Sequence, residues 1–145
     1  MNNVNKSRRK GKANRRIIPT FVHNSILKAM LRDCTMPVLI HEQAKVYGDK
    51  PALSYRDYKL GKWVDISWRE FSRRVSMVSN ALIHLGVEEQ EKMAVFSQNM
   101  PECICVDFGA YGVRAVTIPF YATSSEAQIK YMINDAAVRF VFVGE

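Results

Sequence analysis

The sequence encodes an α/β fold in which a β-hairpin leads into a doubly wound parallel sheet. Three features carry that expectation. Short apolar runs begin at Met93, Ala115 and Val138, 22 and 23 residues apart, the spacing of parallel strands joined by crossover helices. Each run is nearly continuous in apolar residues, as in strands covered on both faces. Upstream, "ALSYRDY" and "KWVDIS" alternate with a period of two around Lys59-Leu60-Gly61, the pattern of a hairpin with one buried face.

The elements are expected in the following order. Residues 1–16 carry seven cations and no acid. They are poor in apolar side chains and are expected to lack structure. Residues 17–31, "IIPTFVHNSILKAML", fit a short amphipathic helix after Pro19. Residues 38–47, "VLIHEQAKVY", fit a second helix, closed by Gly48-Asp49. After the hairpin, Ser67 and Glu70 have the spacing of a capping box. Phe71, Val75, Val78, Leu82 and Leu85 then form one apolar helical stripe that Gly86 ends. "MAVF" (93–96) is a buried strand. Asn99 is the expected cap of the next helix, with Pro101 in its first turn and its end near Gly112. "AVTI" (115–118) is expected as a central strand, stopped by Pro119. "TSSEAQ" (123–128) opens a helix through Ile129, Met132 and Ile133, and "VRFVFV" (138–143) is the last strand.

Composition sets bounds. At 145 residues, 48% hydrophobic and 24% charged, the chain has the size and content of one globular domain. The net charge of +7 belongs to the leader, because 14 basic and 14 acidic residues remain from Ile17 onward. No apolar stretch approaches the ~20 residues of a membrane-spanning helix. Cys34, Cys103 and Cys105 are an odd number without a secretory signal, so reduced thiols and a cytoplasmic location are expected.

The residues that could carry chemistry have plainer readings. Cys103 and Cys105 lie two apart, so on a helix they do not share a face; they are expected as core thiols. His41-Glu42 lacks the second histidine of a metalloprotease helix, since position 45 is lysine. His84 suits the C-terminal end of a helix. Glu88, Glu89 and Glu91 read as a solvated turn, and Asp57 and Asp65 as hairpin positions. Lys92 and Lys130 read as solvated, and Gly109 and Gly112 make no dinucleotide fingerprint. No catalytic, cofactor-binding or metal-ligating residue is assigned. Ligands of such sheets bind beyond the carboxyl ends of the strands, here Ser97 to Asn99, Pro119 to Thr123, and Val143 to Glu145.

Four stretches resemble AMP-forming acyl-CoA synthetases of the adenylate-forming superfamily, in particular long-chain fatty acid–CoA ligases. They are "YGDKPAL" (47–53), "GKWVDISWREF" (61–71), "ALIHLGVEEQEKMAVFSQNMPE" (81–102) and "GVRAVTIPFYATSSEAQIKYMINDAAVRFVFV" (112–143). They occur in the family's order between about Pro37 and Val143. The resemblance implies an ATP-dependent acyl-adenylate, then a thioester with coenzyme A, with Mg2+ as ATP's companion. It also implies that residues 36–145 are the first part of an adenylation domain, ending before the phosphate loop and the catalytic lysine. The fragment would then hold no cofactor, be inactive alone, and have the remainder of the ligase chain and a fatty acid as partners. An open sheet edge at its end would favour self-association.

Residues 1–35 have no counterpart in that resemblance. They could be a nucleic-acid arm, which the lack of interleaved aromatics disfavours, or a membrane-surface element giving a peripheral location. They could also be an organelle transit peptide, or a leader preceding a native start at Met36. The alternative to a ligase fragment is a stand-alone interaction module using this tail on nucleic acid or anionic membrane.

Overall fold

Helix α1 (Met36–Tyr47) opens the computed structural model, which describes residues 34–144, all within the unit Cys34–Glu145. The expected leader and its amphipathic helix at 17–31 lie outside the described residues. Pro37 sits in the first turn of α1, where a missing amide hydrogen costs nothing, and the helix begins two residues before the expected start.

Strands β1 (Pro51–Asp57) and β2 (Lys62–Ser67) form the expected antiparallel hairpin. Its turn needs a left-handed residue and has one, since Gly61 takes φ +65°. The Asp57 carboxylate accepts from the amides of Lys59 (2.8 Å) and Leu60 (2.9 Å), which closes the turn. Leu53, Tyr55 and Ile66 face inward, Ser54, Arg56 and Asp65 face out, and a register shift between Pro51 and Leu53 lets Ala52 pack on the core as well.

Helix α2 (Trp68–His84) follows β2 directly. The Glu70 amide donates to the Ser67 hydroxyl at 3.2 Å, so half of the expected capping box is made. The reciprocal half is not, because Glu70 turns outward to Arg73 (2.7 Å) and Arg74 (2.8 Å). A complete box appears instead at Ser125 and Gln128. The apolar stripe of α2 is buried at Phe71, Val75 and Leu82, but Leu85 lies past the helix end and is 61% exposed.

Strands β3 (Lys92–Phe96), β4 (Val116–Phe120) and β5 (Phe140–Val143) form a parallel sheet in the order β4-β3-β5. Helix α3 (Pro101–Gly112) joins β3 to β4, and α4 (Glu126–Asp135) joins β4 to β5. β4 is therefore an edge strand and β3 is the central one, contrary to the sequence expectation. Pro119 does not stop β4 but lies within it, opposite Val95. An edge strand tolerates this, because its outward side needs no donor. The chain steps from β3 out to β4 and then back across to β5. With right-handed crossovers, that reversal puts α3 and α4 on opposite faces.

Two clusters make up the core. Met93 and Val95 of β3 pack with Leu82 of α2 and Val106 and Ala110 of α3, joined by Phe140 and Phe142. Ile40, Ile66, Phe71, Val75 and Cys105 link α1, the hairpin, α2 and α3. An aromatic chain runs through the second cluster. Trp68 meets Phe71 (6.2 Å between centroids), Phe71 meets Phe108 (5.8 Å), and Phe108 meets Tyr111 (5.9 Å), all near edge-to-face. Burial pushes the Cys105 thiol up to about 11, so it remains an uncharged core group.

Helices α2 and α3 touch almost backbone to backbone. A Cβ on Gly109 would fall 2.6 Å from the Val78 Cβ, and one on Gly112 would fall 2.6 Å from the Ser79 hydroxyl. The Ser79 hydroxyl donates to the Gly109 carbonyl at 2.8 Å. Replacing Gly109 by Ala is expected to cost ~1–3 kcal/mol through overpacking, read as a lower urea midpoint.

The paired Arg73 and Arg74 hold the Glu70 carboxyl down at about 2, against an ordinary 4.5. A depressed carboxylate stabilises the fold above its unfolded value and loses that contribution as pH falls through the folded one. Glu70 is 32% exposed, so solvent screens the pair and the effect is under about 1 kcal/mol. Stability measured from pH 5 down to pH 2 should fall less in Glu70→Gln than in the unaltered chain.

Candidate functional site

The carboxyl ends of β3 and β4 open into a cleft of about 790 Å³. Its position follows from the strand order. The β3 strand leads to a helix on one face of the sheet, and its neighbour β4 leads to a helix on the other. Between these two strands the connections diverge, and open α/β sheets bind ligands beyond the carboxyl ends of their strands. The expected loops, Ser97 to Asn99 and Pro119 to Thr123, form two sides of the cleft.

Local sequence shapes each wall. The first turns of α3 present Met100, Cys103, Ile104 and Asp107, which are spaced for one helical face. Asn99 lines the cleft but does not cap α3. The cap position is Met100, which makes no side-chain cap bond, and Pro101 occupies the first turn. With no Asn99 cap, the loop is held from within. The Ser97 hydroxyl donates to the Gln98 carbonyl (3.0 Å), and the Cys103 thiol donates to the same carbonyl (3.4 Å). Behind the loop, the Gly144 amide donates to the Phe96 carbonyl at 3.0 Å. A Cβ on Gly144 would lie 2.6 Å from the Ser97 Cβ and 2.8 Å from the Met100 sulfur. The third expected loop end thus packs against the first.

The cleft wall is mainly apolar. Tyr55, Ile104, Phe120 and Tyr121 offer carbon surface, and Tyr121 is 82% exposed. Ser54, Asn99 and Thr123 supply neutral polar groups. Among the described residues, Asp107 is the one charged side chain of the lining, and no lysine or arginine is part of it. Such a wall can hold a hydrocarbon or flat organic group. The triphosphate of ATP and its Mg2+ do not fit these residues, because nothing in the lining offers a cation to the phosphates and a single carboxylate is a poor magnesium site. Among the described residues, no three His, Cys, Asp or Glu side chains converge on a possible metal position.

Other residues singled out in the sequence lie elsewhere. His41 is exposed and hydrogen-bonded to the Ser72 hydroxyl at 2.7 Å, which ties α1 to α2. The acidic turn lies at the amino ends of the strands, where Glu89 pairs with Arg114 and Glu91 pairs with Arg139. The Glu88 amide, then Arg139, holds the Glu91 carboxyl below the usual carboxylate range. Cys105 is buried as expected. Cys103 is half-buried, packing against the first core cluster and also lining the cleft. The β1 residues Leu53, Ser54 and Tyr55 also border the cleft. The alternation of the hairpin marks Leu53 and Tyr55 as inward-facing but does not indicate which cavity they meet.

The model of the AMP-binding enzyme family matches residues 40–145. Among related proteins, the long-chain-fatty-acid–CoA ligase FadD15 of Mycobacterium tuberculosis is 32% identical over 82 residues, covering 57% of this chain and 14% of its own length. Long-chain-fatty-acid–CoA ligase 6 of Homo sapiens is 29% identical over 112 residues, 75% of this chain and 16% of its own. The chain therefore spans only a small part of these relatives. Two solved structures share the fold. The N-terminal subdomain of Klebsiella oxytoca NpsA, in complex with 3-hydroxyanthranilyl-AMSN, superposes with a TM-score of 0.67 at 19% identity, covering 76% of this chain and 27% of that one. A Mycobacterium tuberculosis fatty acyl CoA synthetase gives a TM-score of 0.67 at 18% identity, with 74% and 21% covered. The chain belongs to the AMP-binding enzyme family.

Proposed function

We propose that this chain is the N-terminal part of a long-chain fatty acid–CoA ligase, which forms an acyl-adenylate from ATP and then a thioester with coenzyme A. The observation that carries the reading is the likeness to proteins named as long-chain-fatty-acid–CoA ligases, at up to 32% identity over 82 residues. The cleft supports it, with an apolar wall beyond the carboxyl ends of β3 and β4 suited to the substrate side. Coenzyme A, and ATP with its Mg2+, are assigned to the remainder of the ligase, since residues 34–144 offer the phosphates no cation there. The reaction is placed in the cytoplasm or at a membrane bordering it.

The remainder of the ligase is proposed to join along β5. β5 ends the described sheet with no strand beyond it, and Val141 and Val143 are 42% and 66% exposed on one of its faces, whereas the opposite edge carries Pro119. An uncovered, uncharged "FVFV" edge also favours pairing with a second copy. Residues 1–145 alone are expected to form dimers or larger species by light scattering, and a clean monomer at high concentration would count against that.

The activity is tested on the whole gene product that contains this chain. Fatty-acid-dependent ATP–pyrophosphate exchange and acyl-CoA formation are expected from it, and neither from residues 1–145 alone. A whole gene product that forms no thioester with any long-chain fatty acid, or exchange by the short chain itself, would overturn the reading.

A further inference from the structure

We propose that the tip of the β1–β2 hairpin is a docking element for an anionic lipid bilayer. Three large apolar side chains project from it into solvent, with Tyr58 87%, Leu60 62% and Trp63 65% exposed. Nothing in the described fold packs on them. On the strands, the inward face is spent on Leu53, Tyr55 and Ile66, so the outward face carries Arg56 directly opposite Trp63. Lys59 and Lys62 flank the turn and are exposed.

Cations outnumber acids at the tip. Arg56, Lys59 and Lys62 are without salt-bridge partners within the described fold. Two acids lie nearby: Asp57 is turned into the loop, where the amides of Lys59 and Leu60 hold its carboxylate, and Asp65, one outward position further from the turn than Trp63, accepts from the Ser54 hydroxyl at 2.6 Å. The same bonds fix the turn, so Tyr58 and Leu60 are displayed at little further ordering cost.

This combination selects a bilayer surface. Trp and Tyr settle at the boundary of headgroups and acyl chains, where one end of the ring is dry and the other wet. Leucine enters the acyl region, and lysine stems lie along the boundary with their ammonium groups toward lipid phosphates. A buried protein interface is a poorer fit, because its core is depleted in lysine. Nucleic acid would use the cations but leave Leu60 in water. Docking by the tip does not depend on acyl ligation, and lipid binding is read independently of thioester formation.

The test uses the full chain with phosphatidylcholine vesicles, with and without phosphatidylglycerol, carrying brominated acyl chains. Trp63→Phe isolates the emission of Trp63 from that of the half-buried Trp68. Quenching of Trp63 on the anionic vesicles alone is expected. Lys59→Glu with Lys62→Glu is expected to lower partitioning by about tenfold or more, with an unchanged urea midpoint because neither lysine packs on the fold. Vesicle binding with Trp63 unquenched would assign the binding to the basic leader and overturn the proposal. Equal binding to neutral vesicles, no binding at all, or capture by RNA without lipid quenching would overturn it too. Trp63 is exposed and packs on nothing in the described fold, so Trp63→Phe is expected to keep the urea midpoint of the unaltered chain and the difference between the two is read on folded protein.

Discussion

The close contact of α2 with α3 is the constraint on which the rest of the domain depends. Gly109 and Gly112 let α3 lie against Val78 and Ser79 with no side chain between them. At that separation Val106 and Ala110 reach down to Met93 and Val95, and Phe71 reaches across to Phe108. Both core clusters therefore pass through the same pair of helices. A Cβ at Gly109 would push α3 away from α2 and loosen both clusters together, whereas one at Gly112 would displace the Ser79 hydroxyl. The price of such close packing is low tolerance to added volume.

The position of α3 in turn sets the cleft. Its first turns form one wall, and Ser97 to Met100 must bridge from β3 to that wall. The β4 strand departs toward the other face, so the opposite wall is made by Pro119 to Thr123. The two ends of the sheet differ in chemistry. At the amino ends Glu89 and Glu91 pair with Arg114 and Arg139 across the connections. At the carboxyl ends the lining is apolar and almost uncharged. These two ion pairs thus lie at the end opposite the cleft, away from its carbon surface.

Much of this is legible in the chain itself, for local reasons. Period-two alternation in 52–57 and 62–67 marks the hairpin, and the near-equal spacing of three apolar runs marks the parallel sheet and its exit loops. What sequence cannot resolve depends on partners distant in the chain. Strand order is one case. β4 reads as central because it is apolar, yet Pro119 is the sign of an edge. The Ser67 box is half-made because Glu70 finds two arginines, and Asn99 does not cap because Met100 takes the cap position. Cys103 and Cys105 look equivalent in sequence but differ once the helix face is known. The glycine contact gives only a three-residue spacing, Gly109 to Gly112, which says nothing of the helix it meets.

Family membership and the cleft lead to one statement about the gene. A chain that spans 14% of FadD15 and offers the nucleotide no cation is expected to be the opening of a larger adenylating enzyme. Sequencing the source transcript past codon 145 tests this most directly. An open frame running on into a Ser/Thr/Gly-rich loop that ends in lysine is the predicted result. A stop codon after Glu145 would contradict it and reduce the ligase likeness to ancestry.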